Sequence, residues 1–181
     1  MKFIKTVALT ILDIFSVCIL ISPSIQANDD VDYQRHSQNK PYPNPTKYHN
    51  LNILVNITKN RVYIKDANQT LYTMYCSAGM TNPKTNHSYT PTGDFKLQSE
   101  RGTSFYNKDL KEGANDWTSF KDHGVYLFHT VPTNSYGDYK PEEAAKLGKQ
   151  PASHGCIRLS VPDAKYIQTL PTGTPVKIVE N

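Results

Sequence analysis

The sequence has few cysteines, a single tryptophan and no long run of basic residues. Three cysteines in 181 residues cannot form a dense disulfide framework, and a domain of about 130 residues can fold without one. A structural zinc site needs four ligands, usually as two closely spaced pairs, and His154 with Cys156 has no second pair to match it. The formal net charge of +4 is too weak and too scattered to indicate nucleic-acid binding.

The N-terminus has the layout of an export signal. Lys2 and Lys5 precede a largely apolar stretch from Val7 to Ile21, and Ala27 offers a small residue for cleavage. We therefore predict a signal peptide over residues 1–27 and an exported protein of the cell exterior or wall. The apolar stretch is short for a membrane-spanning helix, and an uncleaved anchor, the only expected membrane contact, is the alternative.

The rest of the chain divides into a polar segment and a β-rich domain. Residues 28–50 are rich in Asn and Pro, which predicts a flexible linker, and residues 51–181 form the predicted catalytic domain. Apolar-rich segments bounded by turn residues predict a mainly β fold with two short helices. The predicted strands are 53–57, 61–65, 71–76, 94–98, 125–128, 156–159 and 176–179, and the predicted helices are 141–147 and 161–169.

Residues 99–123 show no clean periodicity and contain Trp117. A stretch of this length without regular structure is typical of a lid or a binding loop. Trp117 is interpreted either as a partly buried anchor or as part of the wall of a cleft.

The residues that can carry chemistry are concentrated between Ser153 and Leu159. Cys156 is the candidate nucleophile, because a thiolate near a base or a cation attacks carbonyl groups readily. His154 and Arg158 are close to it in sequence, and His129 ends an apolar run upstream. From the residues alone, the protein is an exported Cys/His acyl transferase or hydrolase. The alternatives are a buried inert Cys156, or a disulfide between Cys156 and Cys76.

Two motifs in the same order resemble those of the L,D-transpeptidases, whose catalytic domain is the YkuD type. The first is the turn Thr90-Pro91-Thr92-Gly93. The second is His129 followed, after a spacer, by Ser153-His154-Gly155-Cys156-Ile157-Arg158. The resemblance runs from about Leu51 to the C-terminus and implies a β-sandwich-like domain with Cys156 and His129 at one end of the sheets.

The resemblance also implies the reaction. Cys156 would form a thioester with one peptidoglycan stem peptide, with His129 as the general base, and an amine of a second stem peptide would resolve it. Ser153, His154 and Gly155 would support the site, His154 through orienting hydrogen bonds. Arg158 would hold a substrate carboxylate or pair with a protein carboxylate. Carbapenem-type β-lactams would acylate Cys156, and the reaction requires neither a metal nor an organic cofactor.

Three other interpretations compete with this one. Sortases also place His, Cys and Arg in this order, but their cysteine has a different sequence context. Papain-like peptidases place the cysteine before the histidine. A non-catalytic wall-binding module would contain an inert, disulfide-bonded Cys156, and a thiol titration would distinguish it.

Overall fold

The computed structural model describes residues 31–180, so the predicted signal peptide or anchor over residues 1–27 lies outside them. The elements in chain order are β1 Leu51–Asn56, β2 Arg61–Asp66, β3 Gln69–Ser77, β4 Gly93–Lys96, β5 Arg101–Asn107, β6 Glu112–Lys121, β7 Tyr126–Thr130, α1 Pro141–Ala144, β8 Ile157–Leu159, α2 Val161–Thr169 and β9 Pro175–Val179. No helix within residues 31–180 is long and apolar enough to cross a membrane.

The nine strands form one curled sheet. Their spatial order is β4-β9-β1-β2-β3-β8-β7-β6-β5, and only the pairs β1–β9 and β7–β8 are parallel. The ring centroids of Phe95 on β4 and Phe120 on β6 are 5.7 Å apart, so the sheet folds over onto itself as in a sandwich. The prediction of a mainly β, sandwich-like domain with two short helices is confirmed.

The core lies between the folded halves of the sheet. Alternate residues of β1 and β2, such as Ile53, Val55, Val62 and Ile64, are completely buried, as expected for strands with one face against a core. Helix α2 closes this core with Ala164 and Ile167. Ser160 caps α2 by accepting a hydrogen bond from the Asp163 amide, which is the capping that the sequence predicts.

The first helix is shorter than the sequence predicts. Its α-helical part ends at Ala144 rather than Leu147. Beyond it, the Lys146 and Leu147 amides donate to carbonyls three residues back, so the chain continues as tight turns. Gly148 ends these turns with φ of +73°, a conformation that favours glycine.

Residues 31–50 are attached to the domain rather than forming the flexible linker that the composition predicts. Ser37 Oγ and Tyr42 OH donate hydrogen bonds of 2.5 and 2.6 Å to the buried carboxylate of Asp163. The Tyr42 ring stacks on Tyr166 with centroids 4.4 Å apart. Tyr33 packs against a second apolar cluster formed by Val131, Ala144 and Leu147. We call residues 31–50 the N-terminal arm.

Residues 99–123 form a β-hairpin and not an irregular loop. Strands β5 and β6 pair from Arg101↔Thr118 to Asn107↔Glu112, and β5 is an edge strand with mostly exposed or half-buried residues. Several side chains of this hairpin, among them Phe105, Leu110 and Trp117, line a cavity instead of a packed core. Its sequence therefore lacks the apolar alternation by which strands are recognised.

Candidate active site

Two parallel strands bring the predicted catalytic residues to one face of the sheet. Phe128 pairs with Ile157, and His129 pairs with Arg158. Because side chains alternate along a strand, Phe128 and Ile157 enter the core, whereas His129, Cys156 and Arg158 line a cavity on the other side. Cys156 immediately precedes β8 on the diagonal from His129.

The cavity has a volume of about 420 Å³. One part of its wall is apolar and comes largely from the β5–β6 hairpin and the segment leading into β7: Phe105, Leu110, Trp117, Val125, Leu127 and Pro132. The polar part contains the predicted site residues and one more carboxylate: Glu112, His129, Ser153, His154, Cys156 and Arg158. Trp117 is half-buried and belongs to this wall, so both predicted interpretations of it apply.

Ser153 and Gly155 shape the turn that presents Cys156. Ser153 Oγ donates to the Cys156 carbonyl at 2.6 Å and accepts the Gly155 amide at 3.0 Å. Gly155 has φ of +135°, and a Cβ there would lie 2.9 Å from the Tyr126 ring. Only glycine fits this position without strain. The Gly155 amide already donates its hydrogen bond to Ser153 Oγ.

The turn that contains Thr90 is hydrogen-bonded to the cysteine turn. Thr90 is buried, and its Oγ1 donates to the Gly155 carbonyl at 2.9 Å while accepting the Gly79 amide at 2.8 Å. Pattern analysis identifies residues 90–93 only as a turn. In the fold, Thr90 lies in the segment that leads into β4. Its two hydrogen bonds connect this segment to Gly79, just after β3, and to the backbone next to Cys156.

His129 is buried in a neutral form that suits a general base. Its Nδ1 lies 2.6 Å from the Thr130 carbonyl, and a carbonyl can only accept, so Nδ1 carries the proton and Nε2 is the basic nitrogen. Burial, assisted by the Arg158 cation and opposed by the hydrogen bond to Thr130, lowers the pKa of His129 to about 4.

The thiol of Cys156 is in its protonated form at neutral pH. Burial raises its pKa to about 11, although the Leu127 backbone and the Arg158 cation act in the opposite direction. Sγ lies 3.6 Å from the Val125 carbonyl, and within residues 31–180 it makes no hydrogen bond to His129. Neither Cys156 nor the buried Cys76 is in a disulfide.

Arg158 pairs with protein carboxylates, which decides between its two predicted roles. Its Nη1 lies 2.6 Å from Glu143 Oε2, and its Nη2 lies 2.8 Å from Glu112 Oε2. The residue is 2% exposed and both of its Nη atoms are paired with these glutamates, while its buried Nε has no hydrogen-bond partner among residues 31–180. Sequence patterns do not predict either glutamate as a partner.

His154 differs from His129 in its exposure and in its hydrogen bonding. It is exposed at the cavity wall, and within residues 31–180 its side chain has no hydrogen-bond partner. The orienting hydrogen bonds predicted for it are therefore not made in this structure. In the same part of the chain, no three His, Cys, Asp or Glu residues are grouped so that they could hold a metal ion.

Comparisons with known proteins give a family match for this chain. Residues 51–178 match the family model for the YkuD L,D-transpeptidase catalytic domain. YciB of Bacillus subtilis (strain 168), named provisionally as an L,D-transpeptidase, is 40% identical over 153 residues, covering 84% of this chain and 76% of that protein.

Solved structures of similar fold are more distant in sequence. The L,D-transpeptidase LdtMt1, solved in complex with imipenem, is 20% identical with a TM-score of 0.55, and the match covers 72% of this chain and 59% of that one. L,D-transpeptidase 3 from Mycobacterium tuberculosis, with a faropenem-derived adduct, is 20% identical with a TM-score of 0.52, over 72% and 60% of the two chains. This chain thus spans about six-tenths of each solved relative.

Proposed function

The chain belongs to the L,D-transpeptidase family with a YkuD-type catalytic domain, and we propose that it is an exported cysteine transpeptidase that cross-links peptidoglycan stem peptides. One observation carries the proposal: a thiol and a neutral buried histidine from two adjacent parallel strands line the same cavity. The apolar wall of that cavity, formed by the β5–β6 hairpin, gives an extended peptide a surface to lie against.

The first half-reaction makes a thioester. Cys156 Sγ attacks the carbonyl carbon after the third residue of the donor stem peptide, and the amide C–N bond to the terminal D-residue breaks. His129 Nε2 accepts the thiol proton and donates it to the departing amine, so the histidine ends this step neutral again.

The second half-reaction transfers the acyl group. The side-chain amine of a second stem peptide attacks the thioester carbonyl, and the C–S bond breaks. His129 removes a proton from the attacking amine and returns one to the sulfur, which restores the thiol. The product is an amide cross-link between two stem peptides, and each half-reaction needs only groups that the protein and the substrates supply.

The acidities of the two residues determine when the proton moves. With pKa values of about 11 for Cys156 and about 4 for His129, the resting pair is a thiol and a neutral imidazole rather than an ion pair. We infer that proton transfer accompanies the attack on the carbonyl. Only a small fraction of Cys156 is therefore thiolate before a substrate binds.

A backbone amide next to the thiol is the proposed donor to the developing oxyanion. Because the Gly155 amide already donates to Ser153 Oγ, we assign this role to the amide of Cys156. Loss of one such donor typically costs roughly 3–4 kcal/mol of transition-state stabilisation. Ser153, Gly155 and Thr90 support this arrangement by fixing the turn.

The decisive experiment uses a disaccharide tetrapeptide as donor and mass spectrometry as readout. We expect wild-type protein to release the terminal D-residue and to form cross-linked dimers, and Cys156→Ala to do neither while keeping its circular dichroism spectrum. Tripeptide without dimers would identify a hydrolase. Dimers made by Cys156→Ala at an appreciable fraction of the wild-type rate would rule out the cysteine mechanism.

Trapping by β-lactams gives an independent prediction. Relatives of the same fold have been solved with imipenem and with a faropenem-derived adduct, and a strained β-lactam carbonyl is a natural target for Cys156. Incubation with a carbapenem should add one drug mass, located on the peptide that contains Cys156. Active enzyme that shows no mass shift after long exposure would contradict this mechanism.

Export is proposed from residues 1–27 alone. The positive N-terminal residues, the apolar stretch and Ala27 support cleavage near residue 27, and an uncleaved anchor remains the competing form. Intact-mass measurement of protein recovered from culture medium and from membranes distinguishes the two forms.

A further inference from the structure

A buried cluster of charges lies next to the catalytic pair. Arg158 is 2% exposed, and two carboxylates hold its guanidinium: Glu143 Oε2 at 2.6 Å from Nη1 and Glu112 Oε2 at 2.8 Å from Nη2. The glutamates have their own cations, since Lys146 lies 2.7 Å from Glu143 and Lys140 lies 3.7 Å from Glu112. Three cations against two carboxylates leave this cluster with a net charge of +1.

The cluster joins three separate parts of the fold. Glu112 begins β6, Glu143 lies in α1, and Arg158 is the central residue of β8. A lone buried cation is costly, and two fixed carboxylates both neutralise it and determine its position. Arg158 is therefore held in one place by contacts from outside its own strand.

Arg158 is placed so that its positive charge acts on the thiol of Cys156. Arg158 pairs directly with His129 across the parallel strands and is two residues from Cys156 on the same strand face. The cavity itself is lined by these titratable or charged groups: Glu112 from β6, His129 from β7, His154 and Cys156 from the turn, and Arg158 from β8.

We propose that Arg158, held by Glu112 and Glu143, is a permanent cation beside Cys156 that promotes ionisation of the thiol instead of binding a substrate anion. The inference rests on the proposed function only in taking Cys156 as the nucleophile. The inference is also supported by the effect of the Arg158 charge on two pKa values. The charge lowers the pKa of Cys156, which favours the thiolate, and the pKa of His129, which favours the neutral imidazole.

The proposal makes substitutions on the two sides of the ion pair act in opposite directions. Arg158→Gln removes a cation and should make the thiolate less accessible. Glu143→Gln removes an anion, leaves Arg158 paired with Glu112, and should make the thiolate more accessible. A purely structural role predicts that both substitutions disturb the site in the same direction.

The experiment measures the rate at which iodoacetamide alkylates Cys156, followed by peptide mapping between pH 6 and 9. At a fixed pH of 8, we expect Arg158→Gln to react roughly 10-fold more slowly than wild type and Glu143→Gln to react faster than wild type by roughly the same factor. Arg158→Lys keeps the charge without the forked geometry and should remain within about threefold of wild type.

Glu142→Gln is the matched control. It removes the same charge from the neighbouring residue of α1, which is exposed, and should leave the alkylation rate unchanged. Thermal unfolding of each variant checks the fold. If Arg158→Gln does not fold, the proposal is tested by comparing the alkylation rates of the two single variants Arg158→Lys and Glu143→Gln with that of wild type.

Two outcomes would overturn the proposal: equal alkylation rates across all variants, or slower alkylation in both Arg158→Gln and Glu143→Gln. Because alkylation needs no peptidoglycan, this result is separate from the test of the reaction. A failure of the proposed function would instead appear as cross-linking by Cys156→Ala.

Discussion

At the scale of single residues, two histidines compete for the role of general base. Sequence proximity favours His154, but His154 is exposed and has no hydrogen-bond partner within residues 31–180. His129 is buried, and its Nδ1 is committed to the Thr130 carbonyl, which leaves Nε2 basic and oriented. The chemistry of a base requires this defined tautomer, so the geometry supports His129.

We therefore expect His129→Ala to lose roughly 100- to 10,000-fold in the rate of acyl transfer, and His154→Ala to lose much less. Initial rates with the tetrapeptide donor measure both, after thermal unfolding has shown that each variant is folded. An inactive His154→Ala beside an active His129→Ala would mean that the two roles are exchanged.

The residues of this site can be recognised in the sequence, but the contacts between their side chains cannot. Cys156, His129, Ser153 and Arg158 were predicted to share one site, and they line one cavity. The partners of Arg158 were not predicted, because Glu112 and Glu143 are 46 and 15 residues away from it in the chain. Charge pairs that form only through tertiary folding leave no local pattern in a sequence.

At the scale of elements, the N-terminal arm is the main departure from the sequence prediction. Its composition resembles a linker, yet Tyr42 supplies both an aromatic stack on Tyr166 and a hydrogen bond to Asp163. Burial raises the pKa of the Asp163 carboxyl, and the hydrogen bonds from Ser37 and Tyr42 oppose that effect. The arm thus supplies two of the hydrogen bonds of a buried carboxyl group in the domain.

Removing one tyrosine of the arm tests whether it stabilises the domain. Tyr42→Ala should lower the free energy of unfolding by about 2–4 kcal/mol, through lost packing and the loss of one hydrogen bond to the buried Asp163 carboxyl. Tyr48→Ala is the matched control in the same segment, because the Tyr48 ring faces the exposed Lys47 ammonium at 5.4 Å, and should cost less than about 0.5 kcal/mol. Urea denaturation measures both, and equal stability of the two variants would favour a detached linker.

A strand can be predicted from the sequence where one of its faces is apolar, and it escapes prediction where neither face is. Segments 53–57 and 61–65 were recognised because alternate residues fill the core. The β5–β6 hairpin lacks this signal, because Phe105 and Trp117 line a cavity and most of the remaining residues of the two strands are polar or glycine. Functional surfaces need shape and polarity that the pattern of a packed core does not contain.

At the scale of the whole molecule, the buried neutral His129 makes stability depend on pH. Its pKa is about 4 in the folded protein and about 6.5 in an unfolded chain. Because the unfolded state binds the proton more readily, the stabilisation is complete above pH 6.5 and is lost as the pH falls towards 4. The linkage amounts to about 3 kcal/mol over this range.

Replacing His129 by Gln should remove this part of the acid sensitivity. We expect the difference in unfolding free energy between pH 7 and pH 4 to be about 3 kcal/mol smaller in His129→Gln than in wild type. The same substitution at the exposed His154 should leave the difference unchanged. Denaturation curves at a series of pH values provide the measurement, and parallel profiles for wild type and His129→Gln would refute the linkage.

The three residues of β8 have a consequence for how the molecule reaches its active form. In the strand order, this strand lies between the β1-β2-β3-β4-β9 part of the sheet and the β5-β6-β7 part, and it pairs with β3 on one side and with β7 on the other. Such pairings between distant segments of the chain form slowly and late in folding. Cys156 precedes this strand, so the thiol reaches the side of His129 only when β8 has paired with β7.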